Sequence, residues 1–354
     1  MKTINKASKN KIIEFSKKIN IHKIGFTKAY YDYFKLSEYN YRKENNLLCE
    51  LEINDNLVEM LEPSYWLENA KSIIVILEGY KLVDTFEFNK NKDALEGIIS
   101  GASVYKDYHK IVRDKLDKLK LFIEKEYKCN CRSICDSNTF SDRNLALSAG
   151  LGEIGKNSFL INEELGSSTY IGYLITDIEI DSYDNYKTNN ICSNCNLCVE
   201  ICPNNAIIGN NQINPNRCVS FLTQAKRLSE KDKPLIYNSL YGCDICQLVC
   251  PYNRINAQSF NGYQNTSEQI IPVAVSINEL ISISNKEFKS TFGASSAGWI
   301  GKKRMQRNAI ITLGNIASSN AKKLLKDILN NNPDEDVKNE VISSLNRIET
   351  NEKD

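Results

Sequence analysis

The sequence predicts a mixed α/β N-terminal domain (α+β possible), then a cysteine-rich module and a helical C-terminal region. Three observations carry this reading. A short run of mostly β-branched residues, Ile73-Ile-Val-Ile-Leu77, stands ahead of a long helical pattern from Tyr108 to Tyr127. Eight of the 12 cysteines fall between Cys192 and Cys250. Beyond them, two apolar patterns repeat at a spacing of 32 residues. A chain of 354 residues, 42% hydrophobic and 25% charged, is long enough for about two domains with real cores. Lys+Arg 45 against Asp+Glu 44 leaves a net charge of +1, which excludes a globally basic nucleic-acid coat protein but not a local basic patch.

Residues 1–28 read as helical, with Ile12, Ile13, Phe15, Ile19 and Ile21 set among lysines. From Met1 to Ile21, Lys and Asn interrupt the apolar residues, so no signal-peptide h-region forms. The longest aliphatic run, Ile73 to Leu77, is far short of the ~18 residues that would cross a bilayer. The expectation is a cytoplasmic protein with no membrane partner. Asn40 to Asn56 is polar and reads as irregular. The Ile73 run, closed by Glu78 and Gly79, is a buried strand by length and branching. Val112, Leu116, Leu119 and Ile123 recur at helical spacing within Tyr108–Tyr127, and Tyr170 to Ile180 is a second strand. These elements assign residues 1–188 to one domain.

The cysteines carry the chemistry. Cys192-Ser-Asn-Cys195-Asn-Leu-Cys198-Val-Glu-Ile-Cys202-Pro203 is the C-x2-C-x2-C-x3-C-P run of a bacterial two-cluster ferredoxin. A second group, Cys243-Asp-Ile-Cys246-Gln-Leu-Val-Cys250-Pro251, follows, with Cys218 between the two. In that pattern the fourth cysteine of each run crosses to the other cluster. One 4Fe-4S cluster is therefore assigned to Cys192, Cys195, Cys198 and Cys250, and the other to Cys202, Cys218, Cys243 and Cys246. Paired C-x2-C steps also build four-cysteine zinc sites, but three cysteines at two-residue steps followed by Cys-Pro suit a cube far better. Cys49, Cys129, Cys131 and Cys135 are read as ordinary thiols. Two clusters at residues 189–255 move single electrons and do no organic chemistry unaided. Fused to a larger domain, they imply an external electron donor and a redox partner held beside one cluster.

In residues 256–354, Met305, Ala309, Ile310, Leu313 and Ile316 match Val337, Val341, Ile342, Leu345 and Ile348, with an amphipathic helix from Ala321 to Leu329 between them. The pattern resembles HEAT-type helical repeats, whose period is ~30–45 residues. A linker and one and a half units cannot stand as a solenoid, so they must pack on the rest of the chain.

Several motifs together resemble the epoxyqueuosine reductase family: Asp136 to Ile161 with its Ala149-Gly-Leu-Gly152-Glu-Ile-Gly-Lys156-Asn157 segment, Asp107-Tyr108-His109, Gly242-Cys-Asp-Ile-Cys246 and Arg307-Asn-Ala-Ile-Ile-Thr-Leu-Gly-Asn315. The resemblance spans about Pro63 to Ile348. It implies a base-off cob(II)alamin (vitamin B12) between the N-terminal domain and the ferredoxin-like module. It also implies reduction of epoxyqueuosine to queuosine at the wobble position of tRNA, by a monomer. Asp136, opening an Asp-x5-Asp-Arg stretch closed by Asp142 and Arg143, falls where the family has its catalytic acid. Such an acid protonates the epoxide oxygen, and burial would have to raise its pKa. Leu160 and Ile171 fall where the family lines the corrin, and Ser220, Asp244 and Ile245 where cluster and corrin approach. Lys226 and Arg227 resemble the stretch facing tRNA and cofactor. His109 reads as a local hydrogen bonder rather than a cobalt ligand.

From Gly298 to Asn332 stand seven basic residues, among them Lys302, Lys303 and Lys323, against the one acid Asp327. This asymmetry suits phosphate contacts and is read as a tRNA-binding patch. The chain departs from the family pattern at Gly101, Val104, Tyr105 and Thr139, which leaves room for a changed substrate. A corrinoid iron–sulfur reductase of another small molecule is one alternative. A pure electron-transfer protein is another, though it leaves residues 1–188 without a role.

Overall fold

The computed structural model describes residues 3–86, 94–136, 141–186, 189–256, 268–331 and 333–351. Thr139 and Thr188, the latter at the expected 188/189 boundary, lie outside the described residues.

The Ile73 run is a fully buried strand, Ser72–Gly79. It sits inside a four-stranded sheet in the order Lys23–Lys28, Ser72–Gly79, Thr169–Thr176, Cys131–Ile134. Every neighbouring pair is antiparallel, with Val75 opposite Tyr173, so the main sheet is of the α+β kind. Period-two alternation explains why this strand is apolar throughout. Ile74 and Ile76 face one core with Phe26, Val112, Leu116 and Leu119. Ile73, Val75 and Leu77 face another with Tyr173, Leu145 and Leu165.

The helix Tyr108–Tyr127 keeps its expected bounds: Asp107 caps its start by accepting from His109 N, and Lys128 ends it in a left-handed conformation (φ 53°). Its buried side carries Lys115 as well as Val112, Leu116, Leu119 and Ile123. The Lys115 ammonium lies 2.6 Å from Glu78, which is 2% exposed and also lies 2.8 Å from His22 Nδ1. This charge cluster ties the helix to the end of the central strand.

Two local expectations are corrected. The N-terminal helix is Lys6–Lys18, and Lys23–Lys28 is an edge strand. The lysines masked its alternation, and a Cβ at Gly25 would lie 2.3 Å from the carbonyl of Ala149, the C-cap of the helix Asp142–Ser148, so strand and that helix's end touch there. The polar stretch after Asn40 begins inside a helix, Tyr33–Glu44, and Arg42 on it binds Glu52 at 2.6 Å.

A second sheet joins the three segments of the chain. Glu96–Ile99 is flanked by Ser239–Tyr241, parallel, and Ala274–Ser276, antiparallel. Its core includes Ile99, Val104, Leu240 and Val275 and continues into the C-terminal helices Lys302–Ile316, Ser319–Asn330 and Glu335–Asn351. Met305, Ala309 and Leu313 on the first of these share that core with Val341 and Ile348 on the last. The 32-residue repeat is thus a pair of packed helices. No helix among the described residues is long and apolar enough to cross a membrane.

Replacing Lys115 by Met leaves Glu78 buried without its closest cation and should cost about 3–5 kcal/mol. The double variant with Glu78→Leu should recover most of that loss. Anaerobic urea unfolding of the three proteins checks both; a single variant as stable as the wild type would show that the pair contributes nothing.

Candidate functional site

Cys192, Cys195, Cys198 and Cys250 line one small cavity of about 40 Å³, with Pro251 at its wall. Burial, then the neighbouring Cys192, Cys250 and Cys195, push the Cys198 thiol up to about 11. Around Cys243 the pattern repeats: burial pushes it up to about 12, and Asp244, Cys218 and Cys202 add to the effect. Cys246 feels Cys243 and Cys218, and also Cys198 of the other quartet. Cys192, Cys195, Cys198 and Cys250 thus share one cavity, and Cys202, Cys218, Cys243 and Cys246 lie near enough to one another to oppose each other's ionisation. Four converging thiolates repel one another unless a cationic centre neutralises them, and the donor set fits iron–sulfur ligation. Outside the quartets, Cys131 and Cys135 are buried in the sheet core. The Gly-rich segment serves the first quartet directly, since Lys156 Nζ donates to Cys195 O at 3.0 Å and to Asn196 Oδ1 at 2.8 Å.

Asp136 follows the strand Cys131–Ile134 in a left-handed conformation (φ 46°), an uncommon backbone state for a residue other than glycine. Its carboxylate accepts a short hydrogen bond from the Tyr108 hydroxyl and lies 3.3 Å from His109 Nε2. On its other side His109 meets Asp107 through Nδ1 at 2.7 Å. His109 thus bridges two carboxylates, the local bonding role expected of it. The hydrogen bond from His109 holds the Asp136 carboxyl below its ordinary range against the opposing effect of burial, with Tyr108 assisting. The same hydrogen bond raises His109 against its own burial. The expectation that burial would raise Asp136 is thereby corrected. Burial raises Asp142 instead, pushed up to about 7 by desolvation and by the Asp136 charge. Both acids line a cavity of about 350 Å³ with Tyr108, Arg143, Phe159 and Ile171. Sequence reading had singled out Asp136 but took Asp142 only as the end of its stretch.

A second cavity, about 410 Å³, borders the other quartet and is lined by Cys243, Asp244, Ile245, Ser100, Gly242 and Val219, among others. The buried Asp244 carboxylate accepts from Ser100 Oγ at 2.7 Å and from Gly101 N at 2.6 Å. Gly242 has φ 73°, and a Cβ there would lie 2.5 Å from Ser100 Cβ, so no other residue fits this approach. Ser220 follows Val219 on the helix that begins after Cys218 and accepts from Gln224. Two expected positions fall elsewhere. Leu160 is buried among Leu145, Leu165 and Tyr173 and lines neither cavity, because its strand turns it into the core. Arg227 lines a third cavity, about 670 Å³, with Lys226, Lys303 and Arg304, which groups it with the basic residues.

Residues 191–253 match the model of a 4Fe-4S double cluster binding domain, and residues 61–137 match that of "Epoxyqueuosine reductase QueG, DUF1730". The epoxyqueuosine reductase of Staphylococcus aureus is 37% identical over 341 residues, covering 91% of this chain and 84% of its own. The chain belongs to the epoxyqueuosine reductase family. Its fold superposes on the family's Bacillus subtilis enzyme, solved with an aspartate-bearing catalytic loop swung out of the active site, at a TM-score of 0.84 and 32% identity (96% of this chain, 90% of that one). A family structure holding an epoxyqueuosine-modified tRNA-Tyr stem loop matches at 0.82 and 30% identity (96% and 98%).

Gly101, Val104 and Tyr105 all have local packing roles, and Gly101 N also donates to Asp244. A Cβ at Gly101 would already lie 3.0 Å from Val83 N. Val104 is fully buried, and the Tyr105 hydroxyl donates to Lys81 O at 2.8 Å. The basic segment divides in two. Lys303 is 79% exposed, and Lys323 is also exposed. Lys302 reaches Ile283 O at 3.3 Å, while Arg304 and Arg307 donate to the carbonyls of Gln224 and Ala225 at 2.7 and 2.8 Å.

The His109–Asp136 pair makes a pH prediction. Asp136, held low, contributes stability above the ordinary carboxylate range that is lost as pH falls through its lowered pKa. His109, held high, contributes below the ordinary imidazole range, and that is lost as pH rises through its raised pKa. His109→Gln should let Asp136 titrate closer to an ordinary aspartate, followed by ¹³C NMR of labelled carboxylates. An unmoved titration would mean that His109 does not set the charge on Asp136.

Proposed function

We propose that this chain reduces the epoxide of epoxyqueuosine to the alkene of queuosine at the wobble position of tRNA, using cobalamin fed by two 4Fe-4S clusters. The observation that supports the reading is Asp136 and Tyr108 at one cavity, with His109 3.3 Å from Asp136, and Cys243 with Asp244 at another, in a member of this family. Residues 1–188 form the cobalamin-binding catalytic domain, 189–255 the ferredoxin-like module, and 256–354 a linker with HEAT-like repeats. Ile171, Ser220, Asp244 and Ile245 are the proposed cofactor neighbours; Ile171 lines the Asp136 cavity, and Asp244 and Ile245 line the one beside Cys243. Asp244, dry and hydrogen-bonded beside Cys243, suits the side where cluster and cofactor approach. When bound, reduced cobalamin supplies a strong nucleophile for carbon, and the clusters relay its electrons from an external donor.

Conversion of an epoxide to an alkene releases its oxygen as water and takes up two electrons and two protons. The chain's part is the protons. Asp136 delivers one to the epoxide oxygen, which turns a poor alkoxide leaving group into a hydroxyl. Its carboxylate is ionised in the free site, and the proton it needs is held on His109, 3.3 Å away. Asp142, with a pKa near 7, is the nearby reserve. Tyr108 fixes the carboxylate's direction. A proton donor of this kind contributes typically 10²–10⁴-fold.

Asp136→Asn keeps the shape without a titratable proton. The anaerobic variant should retain about eight iron per chain and its cobalamin spectrum, while turnover of epoxyqueuosine tRNA falls by about 10²–10⁴-fold. Near-wild-type turnover would remove Asp136 from the acid's role, and no turnover in the wild-type holoenzyme would favour a small-molecule corrinoid reductase.

Lys226, Lys302, Lys303 and Lys323 are the proposed tRNA contacts. Changing Lys302, Lys303 and Lys323 to Ala should weaken tRNA binding and flatten its logarithmic salt slope by up to about two units. Because Lys302 is partly engaged, most of the change should come from the other two. Filter binding across a salt series checks this, and an unchanged slope would leave the patch a solvated surface.

A further inference from the structure

The geometry points to Trp299 as a stacking platform for an unpaired anticodon-loop base beside the reacting nucleotide. Trp299 stands in the short 3-10 turn Ser296–Ile300, and its side chain is 54% exposed. An indole is among the costliest side chains to leave in water, yet this one is held rigidly. Its Nε1–H donates to the Tyr241 hydroxyl at 2.9 Å. Tyr241 is buried, and the Asp136 and Asp107 carboxylates lie close enough to oppose its ionisation. The turn is also fastened to the wall that carries the acid's partners. Asp107 N donates to Ala294 O at 2.8 Å, and Ser295 Oγ to Ser103 O at 2.9 Å. A fixed aromatic surface therefore opens to solvent at the edge of the site where Tyr108 and His109 meet Asp136.

The surroundings identify the occupant's chemistry. The Arg304 guanidinium lies 5.8 Å from the indole centroid, and the helix bearing exposed Lys303 begins three residues after Trp299. An aromatic face beside Arg304, with Lys303 (3.9 Å from Asp336) on the next helix, suits a base attached to a phosphate backbone. An apolar protein partner would gain nothing from the lysine. The wobble nucleotide must leave its stack to bring the epoxide to Asp136, so its neighbour loses a stacking partner, and the indole replaces it. This role is one of positioning and affinity, and it rests on the wobble-base reaction proposed above.

The test uses the anaerobic holoenzyme and an epoxyqueuosine-modified anticodon stem loop. Base–aromatic stacking of about 1–3 kcal/mol corresponds to about 5- to 150-fold in affinity. Trp299→Ala should raise KM and Kd by that factor with kcat largely kept, while Trp299→Phe, which keeps a ring but loses the N–H, should stay much closer to wild type. The chain has two tryptophans. In a Trp66→Phe background the fluorescence of Trp299 should therefore respond directly to titration with the stem loop, a readout independent of turnover. An Ala variant with unchanged Kd overturns the proposal. So does a Phe variant as impaired as Ala, because the hydrogen bond to Tyr241 would then be the whole role. Loss of the cobalamin spectrum in Trp299→Ala would likewise overturn it, by placing the indole on the cofactor. If the wild-type holoenzyme neither binds nor converts the stem loop, the wobble-base reading falls as well; if it converts it and the Ala variant binds equally tightly, only the platform falls.

Discussion

The buried carboxylate of Asp244 is the contact on which the rest of the arrangement depends. It stands between Cys243 and Cys246, and its hydrogen bonds run to Ser100 and Gly101 at the end of the neighbouring parallel strand Glu96–Ile99. A carboxylate removed from water must be satisfied by strong donors, and here the module supplies the acceptor and the N-terminal domain the donors. Gly242 lets the backbones close to that distance, and its N–H is taken up by Thr223 Oγ1 at 2.9 Å. Removing any member leaves a buried polar group unpaired, so the relative position of cysteines and α/β domain is fixed by satisfaction rather than by contact area. That registry puts a cavity wall of Cys243, Asp244 and Ile245 against the N-terminal domain.

Charge placement around Asp136 follows a different logic. An acid at neutral pH is usually obtained by burying a carboxyl, and the site does that to Asp142. Asp136 is instead left in contact with a raised histidine and a tyrosine hydroxyl. The proton is thus stored one hydrogen bond away from the group that faces the cavity. Asp107, holding the other imidazole nitrogen, sets which face of the ring meets Asp136.

How much of this was legible in the sequence depends on the kind of signal. Cysteine spacing is one-dimensional and rigid, so the double-cluster module could be read before any fold was known, and Cys192, Cys195, Cys198 and Cys250 do share one cavity. The strand at Ile73 and the helix at Tyr108 carried clear periodicities and ended where their caps stand. The edge strand Lys23–Lys28 did not, because its solvent-facing lysines look the same on a helix. Leu160 shows the limit of transfer by motif: a two-residue strand decides which way an aliphatic side chain turns, and a pattern of identities does not. The raised Asp142 could not be read either, since desolvation arises from residues far apart in the chain. Trp299 was visible only as one aromatic residue before a basic run, and its hydrogen bond to Tyr241 spans 58 positions.

The basic segment shows best why composition misleads about function. Its arginines are spent inside the molecule: Arg304 and Arg307 take the carbonyls at the C-terminal end of the short helix Val219–Gln224, which starts directly after Cys218. Guanidinium groups at a helix C-terminus satisfy orphan carbonyls and complement the dipole. Beside them Asn308, fully buried, donates to Thr223 O and Leu240 O, both at 2.8 Å. The Arg-Asn pair of the motif is therefore the joint between the C-terminal helices and the mount of Cys218. The C-terminal helices, too few to stand as a solenoid, thus complete backbone hydrogen bonding beside Cys218. Of the lysines, Lys303, 3.9 Å from Asp336, and Lys323 are exposed.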